Sequence, residues 1–330
     1  MLAAYYERTG SAREVLQLAN LPDPSPAPGE VRVRVQWSGV NPSDVKSRGG
    51  LRSSVMPFPR ATPHSDGSGV IDAVGPGVSP ARLGERVWLW NAAWGRAAGT
   101  AAELITLPSP QAVALPDNVS GEAGACFGIP ALTAMHAVQV DDGVAGKTVL
   151  IAGGAGAVGL YALQFARRLG AAQILTTVSS PEKAALARAA GADTVIDYRS
   201  ENVAERVLEA TAGQGVDRVI EVDVVANAAL NIQVVKPGGQ WIIYGSGAVQ
   251  FSLPFFALAA RNPRIRLFVV YNLSDPDRAL AVAALERFLA AGDLIHQIAA
   301  RLPLARIAEA HELVEQGRAI GNVVLAVEPL

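Results

Sequence analysis

Residues 153–159 read Gly153-Gly154-Ala155-Gly156-Ala157-Val158-Gly159, and their setting decides the fold. The run Lys147-Thr148-Val149-Leu150-Ile151-Ala152 just before them has the apolar, β-branched character of a buried strand. The run from Leu160 onward places Ala162, Phe165, Ala166 and Leu169 on one helical stripe, with Gly170 as a natural stop. The order is therefore strand, glycine turn, helix. Such a turn aims backbone N–H groups and a helix N-terminus at one point, which suits a pyrophosphate. A glycine triplet alone is weak evidence, because glycine is common at turns. Here Gly154, Gly156 and Gly159 satisfy G-x-G-x-x-G in the context that the motif requires. The expectation is a bound dinucleotide and hydride-transfer chemistry.

Strands and helices alternate outward from this turn, beginning near residue 126. Predicted strands are Thr148–Ala152, Gln173–Val178, Thr194–Asp197, Asp217–Val222, Gln240–Tyr244 and Arg264–Val270. Ser180 is a natural N-cap with Pro181 in the first turn, and Gly191 ends that helix. An alanine- and leucine-rich helix follows Pro276, to about Ala291. Six strands with crossover helices describe a doubly wound parallel sheet. The first third reads differently. Val31-Arg32-Val33-Arg34-Val35-Gln36-Trp37 alternates with period two, Ser68–Val74 and Arg86–Trp90 also read as strands, and proline and glycine punctuate the region closely. Short strands with tight turns point to a compact antiparallel barrel. The tail around Val323–Val327 reads as a strand returning to it.

Composition narrows the function classes. The 330 residues are 50% hydrophobic and 18% charged, enough apolar material for a large core, which argues against disorder. A formal net charge of −2 offers no basic field for nucleic acid. The single cysteine, Cys126, excludes an internal disulfide and a multi-cysteine zinc site. The N-terminus lacks a signal-peptide pattern, and no run reaches the roughly 18 apolar residues of a membrane helix. A cytoplasmic protein is expected.

The residues past the glycine turn select the nucleotide. A NAD site places Asp or Glu about 20 residues on, against the ribose 2′-hydroxyl. Here the strand ends Thr177-Val178-Ser179-Ser180 with no carboxylate, and Lys183 follows one turn later. Serine hydroxyls and a lysine ammonium hold a 2′-phosphate that a carboxylate repels. Tyr198-Arg199 ends the next strand and can add a phenol and a guanidinium. The plainer account is a capped helix with a solvated lysine, and Glu182 fits that helix start. NADPH is the expected cofactor.

Several further segments carry a family resemblance. They are Gly39-Val40-Asn41-Pro42-Ser43-Asp44, His64-Ser65-Asp66-Gly67-Ser68-Gly69-Val70, Gly84-Glu85-Arg86-Val87 and Gly128-Ile129-Pro130-Ala131-Leu132-Thr133-Ala134. Gly191-Ala192-Asp193, Lys236-Pro237-Gly238-Gly239 and Tyr244-Gly245-Ser246 join them. With the glycine turn, in this order from about residue 2 to about residue 327, the chain resembles the zinc-free medium-chain dehydrogenases/reductases of the quinone oxidoreductase (zeta-crystallin-like) group. The resemblance implies a GroES-like β-barrel catalytic domain from residues 1–126 and 296–330. It implies a Rossmann nucleotide-binding domain from 127–295, with cofactor and acceptor meeting in the cleft between. By motif position it places Asn41 near the nicotinamide ribose and Thr133 on the nicotinamide side, with Gly154, Gly156, Ala157 and Val158 at the pyrophosphate. It assigns Ser179, Lys183 and Tyr198 to the 2′-phosphate. Gly245, Ser246 and the segment Val270-Tyr271-Asn272 then border the nicotinamide, and Arg318 reaches back to the phosphate end. It also implies a homodimer paired through the strand starting at Arg264.

Zinc-dependent relatives carry a cysteine near residues 39–44 and a His-Glu pair within 64–67. This chain has Val40 and Asn41, then Ser65 and Asp66, and His64 falls one place before the zinc histidine's slot. A lone histidine beside a proline turn is more often structural, so no metal is expected. Cys126, in an apolar stretch, reads as a small buried hydrophobe. His136, His296 and His311 show no Ser/His/Asp pattern, which disfavours hydrolysis. Trp88, Trp90 and Trp94, beside Asn91 and Arg96, are read either as core or as a flat wall for a planar acceptor. Lys46 and Arg52 stand where the family often has tyrosines, so the acceptor pocket is assigned to Lys46, Arg52, Trp90, Asn91 and Trp94, and no catalytic residue is named. The expected reaction is metal-free hydride transfer from NADPH to a quinone. The alternatives are reduction of an activated C=C bond in an enone or alkenal, or NADPH binding without turnover.

Overall fold

The computed structural model describes residues 1–327. The chain divides into two compact units, Ala131–Arg287 and Met1–Pro130 with the chain from Phe288 onward.

In the first unit, six strands form one sheet in the order Thr194–Asp197, Gln173–Val178, Thr148–Ile151, Val216–Glu221, Val235–Ile243 and Arg264–Leu267. Every neighbouring pair is parallel. The chain enters at Thr148–Ile151 in mid-sheet, winds outward to one edge, then resumes beside its starting strand at Val216–Glu221. That reversal opens a crevice at the carboxyl ends of the two central strands, where ligands bind in such sheets. Five helices lie between successive strands: Ala157–Arg168, Pro181–Ala189, Val203–Ala210, Val224–Val234 and Phe255–Arg261. Leu150, Leu175, Ile196, Val219 and Trp241 form part of the buried core. The strand predicted over Arg264–Val270 stops at Leu267, and Val270–Asn272 is a 3-10 turn. The Arg278 guanidinium holds that turn by donating to the Val270 and Tyr271 carbonyls, which draws them away from any strand partner.

In the second unit a seven-stranded sheet runs Ile298–Pro303, Asn322–Ala326, Glu30–Val40, Asp66–Val74, Arg86–Leu89 and Ala112–Ala114, with Leu104–Pro108 branching onto Glu30–Val40. The pairing of Ile298–Pro303 with Asn322–Ala326 is parallel and the rest are antiparallel. Its pairings make an open, branched path. The 11-residue strand Glu30–Val40 organises it, with Val31, Val33 and Val35 fully buried, as its period-two pattern requires. Asn322–Ala326 returns to the last four residues of that strand, Val324 standing opposite Gly39. Val323, Leu325 and Val327 thereby join the same core as Val31, Val33 and Val35. Among the described residues no helix is long and apolar enough to cross a membrane.

Candidate functional site

The glycine turn closes the strand Thr148–Ile151. Gly153 has φ +69°, the left-handed region that favours glycine. Its N–H donates to Thr177 Oγ1 at 3.1 Å, and the Gly154 N–H donates to the Thr177 carbonyl at 3.1 Å. The turn is thus pinned to the neighbouring strand. A Cβ on Gly154 would stand 2.2 Å from Thr176 Oγ1, and one on Gly159 would stand 2.2 Å from the Gly153 carbonyl oxygen. Neither position tolerates a side chain. Gly156 is the N-cap of the helix Ala157–Arg168. The first helical amides, at Ala157 and Val158, have no carbonyl partner within the helix and face outward with the positive end of its dipole. Backbone N–H groups without side-chain cover fit a pyrophosphate.

Ser179 follows the adjacent strand and is buried, and Lys183 Nζ donates to its Oγ at 2.9 Å. Ser180 caps the helix Pro181–Ala189 by accepting from the Lys183 N–H, so one short segment sets both side chains. The Tyr198 N–H donates to the Val178 carbonyl at 3.1 Å, while its side chain is 54% exposed. Ser179, Lys183 and Tyr198 therefore share the carboxyl end of two neighbouring strands, and among the described residues no carboxylate contacts the Lys183–Ser179 pair. Glu182 stands in the first helical turn, as expected of a helix start.

Other assigned residues of this unit lie at further points on it. Thr133 is buried in the first turn of Leu132–Gln139, which continues the π-helical turn Phe127–Ala131. Gly245 is wedged so closely that a Cβ would stand 2.0 Å from the Val222 carbonyl oxygen. Ser246 Oγ donates to the Ala248 carbonyl at 2.6 Å, and Tyr271 is buried in the 3-10 turn. Sequence reasoning missed two buried charged residues of this unit, Glu221 and Arg218. The fully buried Glu221 carboxylate accepts from the Asp223 N–H at 2.6 Å, Asn227 Nδ2 at 2.9 Å and Asn231 Nδ2 at 2.7 Å. Arg218, also fully buried, donates to the carbonyls of Ala137, Val138 and Val140 and to Gln240 Oε1. It satisfies the carbonyls that end the Thr133 helix. The sequence signal was present in outline: Glu221 is the next-to-last residue of a predicted strand, and the two asparagines stand one helical turn apart in the helix Val224–Val234 that follows.

In the other unit, Asn41 is the N-cap of the helix Pro42–Arg48 and is buried. Its N–H donates to Asp44 Oδ2 at 2.9 Å and its Nδ2 to Asp66 Oδ2 at 2.8 Å. Burial raises the Asp44 carboxyl to about 7 against the opposing pull of the Asn41 amides. Lys46 lies on the same helix. The three tryptophans do not share one role. Trp88 is fully buried, edge-on to Phe127 with centroids 6.0 Å apart, as a core residue. Trp90 Nε1 donates to the Pro110 carbonyl at 3.2 Å. Trp94 is 41% exposed with the Arg52 guanidinium 5.8 Å from its ring centroid. Asn91, buried with φ +53°, turns the loop that carries Trp94. Arg318 is exposed in the turn after Ile307–Glu315.

His64 and His311 are both fully buried, stacked with centroids 5.1 Å apart and Nε2 atoms 2.9 Å apart. Counting protons settles their tautomers. The Thr100 hydroxyl donates to the Asp66 carbonyl, so Ser38 must donate to Thr100 across 2.8 Å. Ser38 has then spent its one proton, and the 2.8 Å contact requires His64 Nδ1–H to donate to it. His64 Nε2 is left as acceptor, so His311 donates through its own Nε2–H. His64 is thus bound into the core. Among the described residues no three His, Cys, Asp or Glu side chains gather to hold a metal ion. Cys126 is buried, and burial pushes its thiol well above the ordinary range, the opposite of what a nucleophile needs.

Residues 27–117 match the alcohol dehydrogenase GroES-like domain, and residues 157–286 match the domain family described as zinc-binding dehydrogenase. A quinone oxidoreductase of Pseudomonas aeruginosa is 33% identical over 317 residues, covering 94% of this chain and 95% of that protein. The human quinone oxidoreductase is 31% identical over 318 residues, covering 94% of each chain. A solved NAD-dependent alcohol dehydrogenase superposes with a TM-score of 0.90 at 31% identity, over 99% of this chain and 100% of that one. The Escherichia coli quinone oxidoreductase complexed with NADPH superposes with a TM-score of 0.89 at 25% identity, over the same shares. The chain belongs to the quinone oxidoreductase family of medium-chain dehydrogenases/reductases.

Proposed function

We propose that this chain is an NADPH-dependent quinone reductase that works without a metal ion. The observation that carries the reading is the Lys183–Ser179 pair, 2.9 Å apart beside the glycine turn, where a NAD site has a carboxylate. Ser179, Lys183 and Tyr198 hold the 2′-phosphate. The amides of Gly156, Ala157 and Val158 hold the pyrophosphate, with Gly154 giving the close approach. Asn41, Thr133, Gly245, Ser246 and Tyr271 orient the nicotinamide end, and Arg318 contributes at the phosphate end. NADPH, when bound, supplies the hydride from C4 of its nicotinamide. Lys46, Arg52, Trp90, Asn91 and Trp94 face the acceptor. Trp94, exposed and carrying the Arg52 cation, supports that assignment because a planar acceptor stacks on such a ring. Reduction leaves negative charge on quinone oxygen, which solvent protonates, so no dedicated acid is required.

The strand Arg264–Leu267 is the outer edge of its sheet, with Leu267 59% exposed. An unpaired edge accepts a second strand, and we assign it to a homodimer of a cytoplasmic enzyme. The test follows NADPH absorbance with a benzoquinone, a naphthoquinone and a small enone, each repeated with NADH. Quinone turnover selective for NADPH is expected. Turnover confined to the enone, or equal use of NADH, refutes the reading, and tight NADPH binding with no oxidation shows a binding protein instead.

A further inference from the structure

We propose that Asp66 is a positioning residue that, as an uncharged acid, holds the Asn41 amide in place. The inference rests on the reading of Asn41 as a nucleotide contact. Asn41 stands between two carboxyl groups, its N–H on Asp44 and its Nδ2 on Asp66. Asp66 is 0% exposed and Asp44 8%. Two negative charges on one buried asparagine are costly in a medium of low dielectric, and the lower-energy arrangement keeps a proton. The groups acting on Asp66 are the neighbouring Asp44 carboxyl, the Asn41 amide and the Ile129 amide, and no cation is among them. Cys126, itself buried and un-ionised, is the other titratable group that feels Asp66. Arg52 acts on Asp44. Desolvation and Asp44 together push the Asp66 carboxyl well above its ordinary range, which supports the geometric argument.

The side chain also has nowhere else to go. A Cβ on Gly128 would stand 2.5 Å from Asp66 Oδ1, and a Cβ on Gly39 would stand 2.9 Å from Asp66 Cβ. Glycine on both sides makes room for this one rotamer. The Asp66 carbonyl is meanwhile fixed by the Thr100 hydroxyl, which ties it through Ser38 to the buried histidines. With Nδ2 held by Asp66 and the amide oxygen turned to the Asp44 backbone N–H of the capping box, the orientation of the Asn41 side chain is set before any ligand arrives. Such support for a contact residue from behind is what preorganisation requires.

Two measurements test this on the intact protein. Difference infrared spectroscopy of the ligand-free protein reads the C=O stretch of protonated carboxylic acids at neutral pH. A band lost in Asp66→Asn is expected; identical spectra for the two proteins overturn the assignment of the proton. NADPH titration by fluorescence then compares Asp66→Asn, whose amide oxygen can still accept from Asn41, with Asp66→Leu, which cannot. Asp66→Leu is expected to weaken binding by about tenfold or more, the equivalent of one charged or buried hydrogen bond, and Asp66→Asn to recover most of that loss. Equal affinities for the two variants overturn the positioning role. If Asp66→Leu does not fold, Asp66→Ala takes its place in the same comparison with Asp66→Asn, and equal affinities overturn the role. Absence of NADPH binding by the natural protein refutes the nucleotide reading instead, and the infrared result stands apart from it.

Discussion

Replacing His311 by glutamine should make the protein more resistant to acid. Burial holds His64 down to about 3 and His311 well below the ordinary 6.5. The folded protein therefore refuses protons that the unfolded chain accepts below pH 6.5. Stability from these neutral imidazoles is fully present above pH 6.5 and is lost as pH falls from there toward their folded values. A histidine kept neutral in the fold costs roughly 1 kcal/mol for each pH unit below its unfolded value. The groups facing His311 are His64 and Arg48, both of which disfavour a further positive charge. Asp44 and Asp66 act in the opposite sense. Their folded values are raised, so the folded protein keeps protons that the unfolded chain releases, and acidification from pH 7 toward the ordinary aspartate range of 3.8 stabilises it. The two effects offset each other in the natural protein, and only differences between variants isolate either one. The glutamine side chain keeps an N–H that can donate to His64 Nε2, as His311 does, and removes the titration. Urea unfolding measured from pH 8 to pH 4.5 should show the His311→Gln variant gaining stability on the natural protein as pH falls below 6.5, by roughly 1 kcal/mol per pH unit, whatever its offset at pH 8. Parallel curves would falsify the neutral-pair assignment.

Lys183→Ala should raise the NADPH KM by about tenfold or more, from loss of a charge-assisted bond of roughly 1.5–3 kcal/mol, while NADH use is unchanged; an equal effect on both cofactors sinks the 2′-phosphate role. Gly154→Ala puts a Cβ 2.2 Å from Thr176 Oγ1. It should cost about 1–3 kcal/mol of stability as overpacking and weaken NADPH binding, read by thermal melts and fluorescence titration; unchanged binding refutes the close-approach argument. Arg218→Met leaves the carbonyls of Ala137, Val138 and Val140 without their donor. About 1–3 kcal/mol is expected in urea unfolding for each buried carbonyl left without a donor, and a total loss below about 1 kcal/mol contradicts the capping role.

Local rules read the nucleotide unit well. A glycine turn, an N-cap at Ser180 and apolar strand runs are short-range signals, and the element they predict is the element that forms. The Lys183–Ser179 pair was legible for the same reason: the two residues are four apart across one capped helix start. The predicted strand from Arg264 overran because Arg278, eight residues beyond Val270, takes the carbonyls that a longer strand needs. That partner lies outside any window of alternation. Glu221 and Arg218 escaped because a charged residue in a strand reads as exposed until its partners are known.

Residue type at short spacing was enough for the strand–turn–helix unit, for the lack of a carboxylate at the tip of the next strand, and for the lack of cysteine in the segment 39–44. Tertiary structure alone decided which polar residues became buried partners. Asn41 meets Asp66 across 25 positions, and His64 meets His311 across 247. Pairing with Glu30–Val40 brings the strand Asn322–Ala326 into the same sheet as these N-terminal groups. Protonation states depend on that packing, because burial and neighbouring charge, not residue type, set the cost of ionising a side chain.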